Sequence, residues 1–371
     1  MSDNLADLIE VSRTYGSDPD WVLAGGGNTS MKEDGFLYVK ASGFELATIG
    51  AEGFVKMSLD KLDAVWNKNY PADEKLREAG VLEDMMNART EGQGARPSVE
   101  ALLHSLIKGR LVVHTHPALI NGLTCGVGGE AALKEIFGDA ALWVPLTHPG
   151  YILANEIKTR LDAAAASGKP YPEMIFLQNH GLFVAGETPF DIERLQKKAA
   201  AGITGRLVKT AVGDSGTRSI AQSVSGSFPE EAERAWGRKL TVLGAVNTDV
   251  LAFAESAESF EKIRLPLNPD QIVYCGPGPL RIDSLSGLSA AVSAYKSEWK
   301  REPQGVLLKG VGAFAVGDND KKAESALALL LDSVRIAVYS ESFGGALPMT
   351  DELIIFIRDW EVEHYRAKVS K

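Results

Sequence analysis

The sequence predicts an α/β protein of layered helices and sheet, and two observations carry that prediction. Runs of β-branched residues alternate with stretches of 3.6-residue apolar period along the chain, the pattern of a layered α/β domain. One strand–turn–helix stretch also recurs later in the chain without gaps. In chain order, residues 3–15 read as a helix, followed by the glycine turn "LAGGGNTSMK" (23–32) and a strand at "FLYVK" (36–40). "FVKMSLDKLDAVW" reads as strand then helix, and "NARTEGQGARPS" (87–98) as a polar loop. A helix is expected over 98–108, with Ser98 as its cap and Ala101, Leu102, Ser105 and Leu106 continuing the period to Gly109. The strand "RLVVHTH" follows, then the helix "YILANEIKTRLDAAAASG" and the strand "EMIFLQNHG", which His180 closes before Gly181. After the turn "AGE", a helix opens at Thr188 with Pro189 in its first turn, a favoured start.

The Ser- and Gly-rich stretch at 212–230 is the best candidate boundary, giving domains 1–230 and 231–371. Beyond it, residues 303–324 align with 172–193 at a constant offset of 131. Pro172/Pro303, Leu177/Leu308, Gly181/Gly312, Phe183/Phe314, Gly186/Gly317 and Glu193/Glu324 coincide. Two unrelated turns could share glycines because both need them. The matched phenylalanines and prolines favour a degenerate strand–turn–helix repeat in a C-terminal α/β extension. Val311 stands in the later copy where His180 stands in the earlier one, so the later copy reads as scaffold.

Composition narrows the function classes. The 371 residues are 45% hydrophobic and 24% charged, ordinary for a globular protein. A net charge of −10 leaves no basic stripe for tracking nucleic acid. "MSDNLADLIEVSRTYG" lacks the positive and apolar regions of a signal peptide, and no apolar run approaches the ~20 residues of a membrane span. Cys125 and Cys275, far apart, give no disulfide framework and suit a cytoplasmic protein.

Two of the six histidines fall at the end of one strand. Residues i and i+2 of a strand share a face, so His114 and His116 project side by side. Alone, such a pair could equally be a polar strand face. His180, before Gly181, supplies a third imidazole, and three nitrogens with an open position make a catalytic rather than a structural zinc site. Glu100 and His104 share one helix face, and a carboxylate beside a Lewis-acidic ion suits proton transfer. The plainer reading of Glu100 is a first-turn acid favoured by the helix dipole. The small-residue turns "GGGNTS" (25–30) and "KASGFE" (40–45), with Lys32 and Lys40 near in sequence, could wrap an anion or merely direct the chain.

Taken in order, Gly27-Asn28-Thr29-Ser30, Ser42-Gly43, Pro97-Ser98-Val99-Glu100, His114-Thr115-His116 and His180-Gly181 resemble the class II aldolase/adducin family over roughly residues 5–210. With "QIVYCGPGPL" and "VLLKGVGAFAVG" included, the chain most resembles the aldolase part of the rhamnulose-1-phosphate aldolase/dehydrogenase proteins. No Rossmann glycine fingerprint follows, so the dehydrogenase part is expected to be absent. The resemblance implies a three-layer α/β/α fold with a mainly antiparallel central sheet. It implies a divalent ion, usually zinc, on His114, His116 and His180, and Glu100 as acid/base. It further implies that Gly27, Asn28, Ser42, Gly43 and Ser98 contact the substrate phosphate or its polar equivalent. The implied reaction cleaves a ketose 1-phosphate such as rhamnulose 1-phosphate, within a homo-oligomer, tetramer or dimer. Epimerases of the family typically carry Asp where Glu100 stands, while dehydratases, decarboxylases and adducin-type interaction modules share the fold. One departure is Ser98-Val99, where the family often has Ser-Ser; it removes one phosphate-binding hydroxyl. His148 matches no family position.

Overall fold

The computed structural model describes residues 4–213, 216–220 and 227–360, so the expected boundary at 212–230 lies partly outside the described residues. They form two compact units, one of residues 4–117 and 133–202, the other of 118–132 and 203–360. The expected cut after residue 230 falls inside the second unit. Helix Ala118–Thr124 belongs there because Gly122 packs against Tyr339 so closely that a Cβ would lie 2.3 Å from the tyrosine Cβ. No shift in composition marks that crossing.

The first unit is built on a seven-stranded sheet of order β3-β2-β1-β4-β7-β6-β5. Its strands are β1 Asn28–Glu33, β2 Phe36–Lys40, β3 Phe54–Ser58, β4 Leu111–Thr115, β5 Ala141–Val144, β6 Met174–Leu177 and β7 Gly181–Gly186. Only β5 and β6 run parallel, so the sheet is mainly antiparallel. Asp34 and Gly35, both at positive φ, close the β1–β2 hairpin as an Asp-Gly turn.

Pleating sends alternate side chains to opposite faces. One face carries Val39, Val55, Val112, Ile175 and Phe183, packed on helices Leu59–Val65, Glu74–Asn87, Ala101–Leu106 and Tyr151–Ala166. The other face meets helix Ala6–Gly16, where Ser12 Oγ and Thr29 Oγ1 are 2.6 Å apart, and helix Pro189–Thr204, where Gln196 donates to Thr115. Helices on both faces make three layers. Full burial of each large apolar side chain stabilises this packing by ~1.5–3 kcal/mol.

Two local expectations are corrected. The helix expected over 98–108 is Ala101–Leu106, with Glu100 at its N-cap position and not in its first turn. Residues 96–98 pair with the 40–42 segment instead of continuing the helix: Ser98 N–H bonds Lys40 O, and Ala41 bridges to Pro97. The strand expected to end at His180 ends at Leu177. His180 instead closes a tight turn, its N–H on Leu177 O at 3.1 Å and Asn179 at φ 54°. Asn tolerates this left-handed conformation better than most residues.

The second unit has a five-stranded sheet of order β10-β11-β12-β9-β8. These strands are β8 Arg218–Ser219, β9 Thr241–Val246, β10 Leu280–Ile282, β11 Gly305–Leu308 and β12 Gly312–Gly317. Its pairings match those of β5-β6-β7-β4-β1, with β10–β11 the parallel pair. Val311 N–H bonds Leu308 O at 3.0 Å and Gly310 has φ 71°, as in the His180 turn. Phe314 pairs with Gly244 where Phe183 pairs with His114. Among the described residues no helix is long and apolar enough to cross a membrane.

Candidate metal centre

The pleat of β4 turns His114 toward the face that holds Phe183 and helix Ala101–Leu106. The His114 ring is fully buried and stacks on Phe183 with centroids 3.9 Å apart, an 11° tilt fixing its plane. Its Nδ1–H donates to Leu182 O at 3.0 Å, so Nε2 carries the lone pair. That Nε2 stands 2.8 Å from Nε2 of His116, just past the end of β4, and 3.4 Å from Nε2 of His180. All three ligand nitrogens lie within 4.8 Å of one another. Nitrogens each about 2.0–2.1 Å from a tetrahedral zinc would stand ~3.3 Å apart. The donor set therefore fits one divalent ion.

Glu100 completes the cluster. Its Oε1 lies 3.6 Å from His114 Nε2 and 3.7 Å from His180 Nε2, and its Oε2 accepts from Asn28 Nδ2 at 2.5 Å. Asn28 pairs with His114 across β1 and β4, which carries its side chain to the same face. Asn28 Oδ1 accepts in turn from His104 Nε2, so both ends of the amide expected to contact substrate are engaged within the chain. His104 Nδ1 faces Ser30 Oγ at 2.7 Å. His104 and Ser30 are additions to the expected site. The spacing of 100 and 104 hinted at the first, and the alternation of 28 with 30 along β1 could have given the second.

The expected anion-binding turns flank Glu100. Ser98 Oγ accepts from Glu100 N–H at 3.3 Å, and Ser42, beside Gly43, bonds Arg96 O and Pro97 O. Gly27, at φ 64°, brings the glycine turn against β4, where a Cβ would lie 2.7 Å from His114 O. Lys32 turns elsewhere: its Nζ donates to Ile107 O at 2.7 Å and Gly109 O at 3.2 Å. Burial pushes its pKa down to about 7. His148 pairs with Glu74 at 3.0 Å.

Burial pushes the His104 pKa down to about 3. An unfolded histidine takes its proton near 6.5, so between these values the unfolded chain binds more protons. Stability from His104 is therefore full above about pH 6.5 and falls toward pH 3 by up to ~1.4 kcal/mol per unit. Urea unfolding of wild type and His104→Gln across this range should show the wild-type curve falling more steeply.

Gly181 leaves room for the His116 ring. A Cβ there would lie 2.3 Å from Thr115 O and 2.8 Å from His116 Cδ2. Such overpacking typically costs ~1–3 kcal/mol and shifts neighbours. Gly181→Ala is expected to displace His116 and lower metal content, as elemental analysis of the purified variant would report. Full wild-type loading would count against that role.

The pattern of the Class II Aldolase and Adducin N-terminal domain matches residues 6–194. A curated relative, the uncharacterized oxidoreductase YuxG of Bacillus subtilis (strain 168), is 23% identical over 418 aligned residues, taking in 98% of this chain. The chain spans 58% of that relative's length. Among solved structures, the N-terminal class II aldolase domain of a conserved Thermoplasma acidophilum protein is 26% identical at a TM-score of 0.46, covering 54% of this chain and 92% of that one. An L-fuculose-1-phosphate aldolase from Thermus thermophilus is 17% identical at a TM-score of 0.35, covering 53% and 92%. The family match runs over just over half of the chain and takes in all three converged histidines, Glu100 and Asn28, so the chain belongs to the class II aldolase and adducin family.

Proposed function

We propose that the chain is a metal-dependent aldolase that cleaves a ketose 1-phosphate, with rhamnulose 1-phosphate as first candidate, to dihydroxyacetone phosphate and an aldehyde. The observation that supports this best is the Glu100 carboxylate set against three imidazole nitrogens that face one another. His114, His116 and His180 would hold zinc or another divalent ion. When bound, that ion supplies Lewis-acid stabilisation of the negative charge left as the carbon–carbon bond breaks. Glu100 moves the proton. Because Oε2 accepts from Asn28, Oε1 is the atom that delivers a proton to the substrate carbon in cleavage and removes it in synthesis. Gly27 and Gly43 would offer backbone N–H groups, and Ser98 its hydroxyl, to the polar end of the substrate, while Ser42 would hold the Gly43 turn in place through its bonds to Arg96 O and Pro97 O.

The name oxidoreductase belongs to the longer relative, of which this chain spans 58%. Residues 203–360 read as scaffold, since Ile220, Gly244, Val246 and Val311 stand at the pairing positions of Asn28, His114, His116 and His180. We infer a homo-oligomer on the family resemblance, and a cytoplasmic setting from the two scattered free cysteines; a monomer by light scattering at micromolar concentration would overturn that assembly.

The test is incubation of metal-loaded protein with a panel of ketose 1-phosphates, including rhamnulose and fuculose 1-phosphates, with dihydroxyacetone phosphate measured. Its release from one of them is expected. Epimer formation without triose phosphate would replace cleavage with epimerisation, and no reaction across the panel would overturn the aldolase reading.

A further inference from the structure

We propose that His104 is a positioning residue, whose imidazole holds the Asn28 amide so that Glu100 presents Oε1, and not Oε2, for proton transfer. The inference rests on Glu100 being the proton carrier. Four side chains from two elements form one line: Ser30 and Asn28 on β1, His104 in helix Ala101–Leu106, and Glu100 at that helix's N-cap position.

The direction of each hydrogen bond follows from what each atom can do. Asn28 Oδ1 only accepts, so His104 Nε2 carries the hydrogen. A neutral ring has one N–H, which leaves Nδ1 bare, and the Ser30 hydroxyl donates to it. The Asn28 amide then points its NH2 at Glu100 Oε2. The reversed amide would set Oδ1 against a carboxylate oxygen, acceptor to acceptor, at 2.5 Å. With one lone pair of Oε2 occupied, Oε1 is left facing His114 and His180.

His104 is fully buried and packs edge-on against Phe183, with centroids 5.5 Å apart. Burial keeps its ring neutral, so the arrangement holds across the ordinary working range of pH. A histidine that only filled space beside Phe183 could be replaced by leucine without kinetic consequence. A histidine that fixes an amide could not. Misplacing a reacting group by about an ångström costs up to ~10²-fold in rate.

The test uses the full chain, metal-loaded, with a substrate it turns over. His104→Leu is expected to lower kcat by ~10²-fold with KM and metal content unchanged. His104→Gln, which keeps a donor near the place of Nε2, should recover most of that loss. In a cycle with Asn28→Ala, the double variant should be no slower than Asn28→Ala alone, because His104 acts through Asn28. Should the leucine variant fail to fold, Ser30→Ala is expected to show a smaller loss, again in kcat and not KM. A kcat of His104→Leu within about threefold of wild type, or additive losses in the cycle, overturns the proposal.

A second readout needs no substrate. Nitrogen-15 shifts of the His104 ring should report Nε2–H with Nδ1 bare, and a neutral ring still at about pH 5. The opposite tautomer, or a protonated ring at that pH, overturns the arrangement. Inactivity of the wild type on every ketose phosphate strikes the aldolase reading instead, and the ring tautomer then decides for His104 separately.

Discussion

Glu100→Gln is expected to lower turnover by ~10²–10⁴-fold, the usual cost of removing a general acid/base. Glutamine keeps the side-chain length and an oxygen that can accept from Asn28 Nδ2. An amide NH2 then stands where Oε1 stood, and it neither holds nor removes a proton at the working pH. Fold and metal loading should survive, because the three nitrogen ligands come from other residues. The competing explanation, an acid favoured by the helix dipole, predicts a loss of only ~0.3–1 kcal/mol in stability and none in rate. Glu100 makes no side-chain capping bond to its helix, which limits even that contribution. The measurements are kcat, metal content, thermal unfolding and exchange of the dihydroxyacetone phosphate proton with solvent. Near wild-type exchange in the variant would remove Glu100 as the proton carrier.

Stripping the ion with a chelator should abolish turnover and loosen the ligand end of the first sheet. A ligand that binds only the folded state stabilises by RT ln(1 + [L]/Kd), about 4 kcal/mol at a thousand times Kd. Without the ion, the ligand nitrogens are held together by little more than one hydrogen bond, His116 Nε2–H donating to the bare His114 Nε2 at 2.8 Å. Hydrogen exchange at the β4 and β7 amides should therefore quicken on chelation, and readdition of zinc should reverse it. The β9 and β12 amides should be unaffected, since those strands carry no ligand. Full activity in demonstrably metal-free protein would end the metal-dependent mechanism.

Period and turn chemistry made much of this legible from residues alone. "FLYVK" became β2, Pro189 opened its helix, and the helix at Tyr151 ran its expected course to Ala166. The His-x-His spacing was readable because a strand sends i and i+2 to one face, even though His116 lies just beyond the last paired residue. The sequence marks His180 as a ligand but places it in a strand, because an apolar run does not reveal that Asn179 turns left-handed. The apolar period alone extends the helix over 98–108, whereas the helix is Ala101–Leu106 because the bridge from Ala41 to Pro97 pairs residues 96–98 with the 40–42 segment. The link from His104 to Glu100 was hidden for a different reason. It passes through Asn28, which is 72 residues from Glu100 and joins it only once β1 pairs with β4.

The matched pairing of the two sheets gives this chain a control experiment of its own. In the second unit Phe228, the first residue of helix Phe228–Trp236, stacks on Phe314 with centroids 4.0 Å apart and a tilt of 10°, where in the first unit the ring stacked on Phe183 is that of His114. Ile220 and Val246 close against Gly312 there, filling with hydrocarbon the corner that the first sheet keeps for nitrogen and oxygen. Residues present at both places, such as Phe183 and Phe314 or Gly186 and Gly317, answer to the demands of the frame. Residues present only at the first, Asn28, His114, His116 and His180, are ones the frame can do without. The division between architecture and chemistry, usually drawn by comparing many relatives, is here written within a single polypeptide.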